Sequence, residues 1–190
     1  MVDNKHLKHG EGTQHWPDKA SYTGQWRFGL LHGKGVFTHA NGDRYEGMFY
    51  NDLANGNGTY RSSKGYTYEG HWKNDLYHGQ GVQKMLDGST YIGRFQNGLR
   101  DGYGEFRSPG TDLYKGFWKD NKIDGEGEFF WPNGSSYQGS WQKNQMHGYG
   151  VYRWPDGKVY KGEYFKDIKH GNGAMYYENG KIYEGGWVNG

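Results

Sequence analysis

The chain has 190 residues, of which 35 are Gly and 18 are Tyr; 18% are aromatic and only 33% hydrophobic. With so little aliphatic material, the surface to be buried must be carried by rings. The formal charge of +2 is evenly spread, with 11 Lys+Arg against 9 Asp+Glu up to residue 95 and 12 against 12 beyond it, which speaks against nucleic acid as a partner.

The chain opens with half a unit, Lys8-His9-Gly10-Glu11-Gly12. The first full strand is predicted around Tyr22-Thr23-Gly24-Gln25-Trp26, where the rings and the glycine share one parity and the polar residues the other. A strand sends alternate side chains to opposite faces, so one face carries ring, glycine, ring and the other is wet. The tyrosine returns at Tyr45, Tyr68, Tyr91, Tyr114, Tyr137, Tyr160 and Tyr183, each 23 residues after the last. Its second ring returns as Phe49, Trp72, Phe95, Trp118, Trp141, Tyr164 and Trp187. A Gly-x-Gly pair keeps the same period, and a second strand is predicted after it, as in Gly150-Val151-Tyr152-Arg153-Trp154. Asn-Gly or Asp-Gly then follows at Asn41-Gly42, Asp87-Gly88, Asn133-Gly134, Asp156-Gly157 and Asn179-Gly180, a tight-hairpin signal. The corresponding turn at Ser108-Pro109-Gly110 is atypical.

The expected fold is all-β: an elongated, single-layer, twisted antiparallel β-meander with one hairpin per 23 residues. The glycines between the rings, Gly24, Gly47, Gly70, Gly93, Gly116, Gly139, Gly162 and Gly185, are assigned a structural role. Each leaves room for a ring from a neighbouring strand to lie over the backbone.

Tyr-x-Gly-x-Trp, a short turn, His-Gly-x-Gly and an aromatic strand at a 23-residue period resemble the MORN repeat. The resemblance spans about residues 9–190, and the whole chain, 1–190, reads as one array. It implies protein-scaffolding duties in the cytoplasm and cytoskeleton, as in cilia and flagella, and lipid binding has been proposed for the family. The leading expectation is therefore a non-catalytic scaffold that holds a partner helix or extended peptide on its aromatic groove. The alternative is a peripheral membrane module with weak affinity for acidic phospholipids. No apolar run approaches the ~18 residues of a membrane span and no signal-peptide pattern opens the chain, so a soluble intracellular protein is expected.

The partner-binding candidates are Trp72, Phe95, Trp118, Trp131, Trp141, Trp154 and Tyr164. Trp131 and Trp154 share a repeat position with Trp16, His39, Ser62, Met85, Ser108 and Tyr177. Such variation suits a partner-reading surface and relaxed packing equally well. The last unit stops after its first strand, so Tyr177, Tyr183 and Trp187 are candidates for an end contact, either an antiparallel homodimer or the continuation of a longer array.

No metal, cofactor or catalytic residue is expected. His78 recurs as His9, His32, His147 and His170, and it is replaced by Asn55, Asp101 and Asp124. Equivalent atoms one hairpin apart stand ~9–10 Å from each other, too far to share a zinc ion bound at ~2 Å. All three residue types serve turns, which is the role assigned to them. The Gly-x-Gly pairs fit neither phosphate-loop pattern, and carboxylates such as Glu46 and Glu69 fall on the wet face with no nucleophile or base beside them. There is no cysteine for a disulfide or a thiolate site.

Overall fold

A computed structural model describes residues 7–190. They form sixteen strands: β1 (Gly10–His15), β2 (Ser21–Arg27), β3 (Leu30–Thr38), β4 (Arg44–Tyr50), β5 (Leu53–Arg61), β6 (Thr67–Lys73), β7 (Leu76–Lys84) and β8 (Thr90–Gln96). The second half repeats the pattern as β9 (Leu99–Arg107), β10 (Leu113–Lys119), β11 (Lys122–Phe130), β12 (Ser136–Gln142), β13 (Gln145–Arg153), β14 (Val159–Phe165), β15 (Ile168–Tyr176) and β16 (Ile182–Trp187). The sheet order is the chain order, an antiparallel meander. The contacts divide the chain into two compact units, residues up to 88 with 94–98, and residues 89–93 with 99–190.

In the first unit, the Tyr22 ring meets Trp26 edge-on at 5.1 Å and Phe49 at 5.3 Å. Tyr45 does the same with Phe49 and Trp72, and Tyr68 with Trp72 and Phe95. In the second unit, Tyr114 lies between Trp118 and Trp141, and Tyr160 between Tyr164 and Trp187. Each tyrosine thus ties its own repeat to the next through edge-to-face pairs, worth about 0.5–1.5 kcal/mol each beyond their burial. These tyrosines, from Tyr22 to Tyr160, are buried.

The glycines explain how a single layer buries its rings. The Tyr68 hydroxyl donates to the carbonyl of His71 at 2.9 Å, which folds the ring down along its own strand. A Cβ on Gly70 would stand 2.6 Å from the Cα of Gly81 and 2.7 Å from the Tyr68 hydroxyl. A Cβ on Gly81 would meet the same hydroxyl at 2.6 Å. The ring over Gly70 therefore comes from two residues back in the same strand, not from a neighbouring one. Its reach is short because the phenol seeks the nearest carbonyl that the local bulge turns toward it.

That bulge also relocates the Gly-x-Gly pair. The pair lies inside β7, which starts at Leu76, rather than ahead of it. Gly79 has φ 60° and stands where the register shifts between Gly70 and His71. A glycine in the left-handed region is what such a bulge requires.

Candidate functional site

The first strand of every repeat returns through a two-residue turn with positive φ at both centres, as at Asn74 (49°) and Asp75 (64°). This is the type I′ pattern, whose twist matches that of the flanking strands. The second turn residue also reaches back one repeat. The Asp75 N–H donates to the Ala54 carbonyl at 3.0 Å, and the Ala54 N–H donates to Asp75 Oδ1 at 2.7 Å. Asp52 clasps Leu31 in the same way, Asn121 clasps Arg100, Asn144 clasps Ile123 and Asp167 clasps Met146.

His78 is not a turn residue. It stands within β7 opposite His71, because the turn is completed by Asn74 and Asp75. Asn55 and Asp124, at the equivalent position, accept from the N–H of Asn74 and Lys143 in the next repeat's turn. His32 and His147 instead lie against Tyr50 and Phe165, both at 5.3 Å. The polar side chain therefore supports the following turn rather than its own. Among the described residues no group of three or more metal-ligating side chains comes together.

The Asn-Gly and Asp-Gly turns, read from the sequence as tight hairpins, have a three-residue loop. The His39 N–H donates to the Asp43 carbonyl and the Gly42 N–H to the His39 carbonyl, so three residues form the loop and only Gly42 has positive φ. The Asn41 side chain accepts from the Asp43 N–H at 3.0 Å, which is why Asn or Asp precedes the glycine. Asp43 also takes the Tyr60 hydroxyl at 2.6 Å and the Ser63 N–H at 2.9 Å. These donors, the tyrosine first, hold its carboxyl well below the usual carboxylate range. Burial, with this hydrogen bond second, pushes the Tyr60 phenol up to about 12.

On the ring face of the first unit lies a groove of about 600 Å³, walled by Leu31, Phe37, Tyr45, Tyr60, Trp72 and Tyr77, with His39, Asp52 and Asp75 also bordering it. Tyr77 stacks on Tyr68 at 3.8 Å. The second unit carries an outer row of half-buried rings instead. Phe129 meets Trp131 at 4.6 Å, Trp131 meets Tyr152 at 5.2 Å, and Tyr152 meets Trp154 at 4.4 Å. Lys169 Nζ lies 5.6 Å from the Trp154 ring, 5.7 Å from Tyr160 and 4.7 Å from Trp187. Burial among these rings, and then the nearby Lys158, lower its pKa.

The seven candidate rings therefore occupy two places. Trp72, Phe95, Trp118, Trp141 and Tyr164 are buried as members of the tyrosine ladder, with little surface left for a partner. Trp131 and Trp154 are half-buried in the outer row. Tyr177 and Tyr183 are exposed near the C-terminal end and Trp187 is half-buried. Gly24, Gly47, Gly93, Gly116, Gly139 and Gly162 repeat the Gly70 geometry, with a glycine Cα 2.5 Å from where their Cβ would be. Gly185 is less crowded: its nearest atom, the Tyr183 hydroxyl, is 3.0 Å away. Phe37, Tyr60 and Tyr77 in the groove were not singled out from the sequence. The signal for Phe37 and Tyr60 was present, since both share the glycine parity of their strand.

The sequence pattern of the MORN repeat family matches residues 4–21, 22–44, 45–65, 68–90, 91–112, 114–136, 137–159 and 160–182. Comparison with characterised protein sequences gave no significant match. Among solved structures, the fold is similar to the TCP domain of SAS-4 (dCPAP) in complex with a proline-rich motif of Ana2 (dSTIL) of Drosophila melanogaster, at 11% identity and TM-score 0.50, over 93% of this chain and 90% of that one. The wild-type TCP10 domain of Danio rerio CPAP aligns at 14% identity and TM-score 0.34, over 92% and 94%.

Proposed function

The chain belongs to the MORN-repeat family, and we propose that it is a non-catalytic scaffold that docks a protein partner, a helix or an extended peptide, on its ring face. The observation that carries this reading is the surplus of rings. The tyrosine ladder already closes the core, yet the groove at Phe37 and Tyr60 and the row from Phe129 to Trp154 hold further aromatics half open to solvent. Partly exposed Trp and Tyr are favoured anchors for partners. A similar fold, the TCP domain of SAS-4, carries a proline-rich motif as its partner, which supports a peptide-docking role here. The same reading places the protein in a cytoskeletal or ciliary assembly and gives Tyr177, Tyr183 and Trp187 to a homodimer contact at the C-terminal end.

The test is affinity capture from source cells with the chain and with a Trp131→Ala/Trp154→Ala variant of unchanged circular dichroism. A protein retained by the first and lost by the second supports the reading. Equal retention by both removes the outer ring row from the site. Capture of anionic vesicles alone, reversed by salt, would favour the acidic-phospholipid alternative.

A further inference from the structure

The two indoles of the outer row differ from those of the core in one respect. Core tryptophans spend their N–H on a glycine carbonyl of the preceding repeat: Trp72 on Gly58 at 3.0 Å, Trp118 on Gly104 at 3.3 Å, Trp187 on Gly173 at 3.0 Å. Among the described residues no acceptor is paired with the indole N–H of Trp131 or Trp154. These two side chains follow β11 and β13, strands that are separated by one strand and so by roughly 9.4–9.8 Å. A polyproline II helix turns once in three residues of about 3.1 Å, or about 9.3 Å, and leaves all its carbonyls free. Its period matches the hairpin period, and its backbone offers the acceptors that the indoles lack. An α-helix spends its carbonyls internally, so it could not take these N–H groups.

Positive charge gathers at the Trp154 ring, with Lys158 Nζ at 5.9 Å and Lys169 Nζ at 5.6 Å. Cations recur at these repeat positions, as Lys181 for the first and as Lys8 and Arg100 for the second, while the other repeats carry uncharged or acidic residues there. Lys158 is paired with Asp156 at 2.9 Å. Lys169, held against three rings, makes no ion pair among the described residues.

We propose that this face of the second unit binds a proline-rich segment bearing acidic residues, with prolines three apart on Trp131 and Trp154 and a carboxylate on Lys169. This rests on the protein-docking reading and names its partner class. Rings that stack on proline and indoles that donate to its carbonyls are a recurrent way of reading such segments.

The probe is a fluorescein-labelled peptide of four Pro-Pro-Glu repeats, titrated into the full chain and followed by anisotropy. Controls are four Pro-Pro-Lys repeats, four Gly-Ser-Glu repeats and an acidic helical peptide. The acidic proline peptide is expected to bind more tightly than all three. Trp154→Ala is expected to weaken it at least about tenfold, equivalent to ~1.4 kcal/mol. Lys169→Gln is expected to weaken it several-fold and flatten its salt dependence. Tyr149→Ala, at an exposed residue on the opposite face, should leave it unchanged. No binding at millimolar peptide, equal binding of the lysine peptide, or indifference to both Trp154→Ala and Lys169→Gln overturns the proposal. Should the peptide fail while protein capture still depends on Trp131 and Trp154, only the partner class is wrong. Loss of both dependences removes the docking reading as well.

Discussion

Thr111 shows how a single residue can carry the cost of a turn. Its φ of 78° lies in the region that most other turns of this kind give to glycine, such as Gly42 at 88° and Gly134 at 87°, with Lys19 at 75° the other exception. In the Ser108-Pro109-Gly110 turn the glycine comes one place too early, and the β-branched Thr111 must donate to the Ser108 carbonyl from the strained conformation. An L-residue there costs roughly 1–2 kcal/mol, and a β-branched one is least suited. Thr111→Gly is therefore expected to stabilise the protein by about 1 kcal/mol, after the greater chain entropy of glycine is set against the relief. Urea denaturation of the two forms measures it, and an unchanged or lowered midpoint would show that the strain is relieved in another way. The sequence marked this turn as irregular. It did not reveal which residue bears the irregularity, since that depends on where the hairpin closes.

At the scale of the hairpin, the clasp between repeats was legible only in part. Asp and Asn recur at residues 52, 75, 121, 144 and 167 with the 23-residue period, yet their spacing alone shows only that a turn falls there. Their reach to the residue 21 places earlier depends on how adjacent hairpins lie side by side. Gly29, Gly98 and Gly190 keep the backbone half of the clasp, through their N–H, and cannot make the side-chain half. They suggest a clean substitution. Asp75→Gly preserves the positive φ and removes only the acceptor of the Ala54 N–H, at an expected cost of about 1 kcal/mol. Asp75→Asn should be nearly neutral, as Asn121 and Asn144 already fill the role. Thermal melts would place the first variant a few degrees lower, at ~2–4 °C per kcal/mol for a chain of this size. Equal melting of Asp75→Gly and the parent would deny the side chain its part.

For the whole molecule, the tyrosines set an alkaline limit. Burial pushes Tyr22, Tyr91 and Tyr160 up to about 12, and Tyr45, Tyr68, Tyr114 and Tyr137 further. The unfolded phenol titrates near 10. Because the folded value is the higher one, the stabilisation is fully present below about pH 10 and is lost as the pH rises through about 12. Ionisation also ends donation to the carbonyl three residues on, as from Tyr22 to Gln25 at 2.8 Å. Since each repeat leans on its neighbours, the loss should spread along the array. A pH titration should show the late rise of tyrosinate absorbance together with the collapse of the far-ultraviolet circular dichroism. Tyrosinate appearing in full while the sheet signal persists would contradict the ladder as the main core.

The sequence by itself determined the all-β meander, its period and the face on which the rings fall, because these follow from side-chain alternation and turn chemistry a few residues apart. It also singled out the glycines between the rings. Tertiary structure alone decided which rings are consumed by the core and which remain open. Trp141 and Trp154 are the same residue type on the same ring face, yet Trp141 is buried with its N–H on Gly127, while Trp154 lies in the half-buried outer row. That difference follows from the rings each one meets, Tyr114 and Tyr137 for Trp141 and Tyr152 for Trp154, contacts that only the folded sheet brings about.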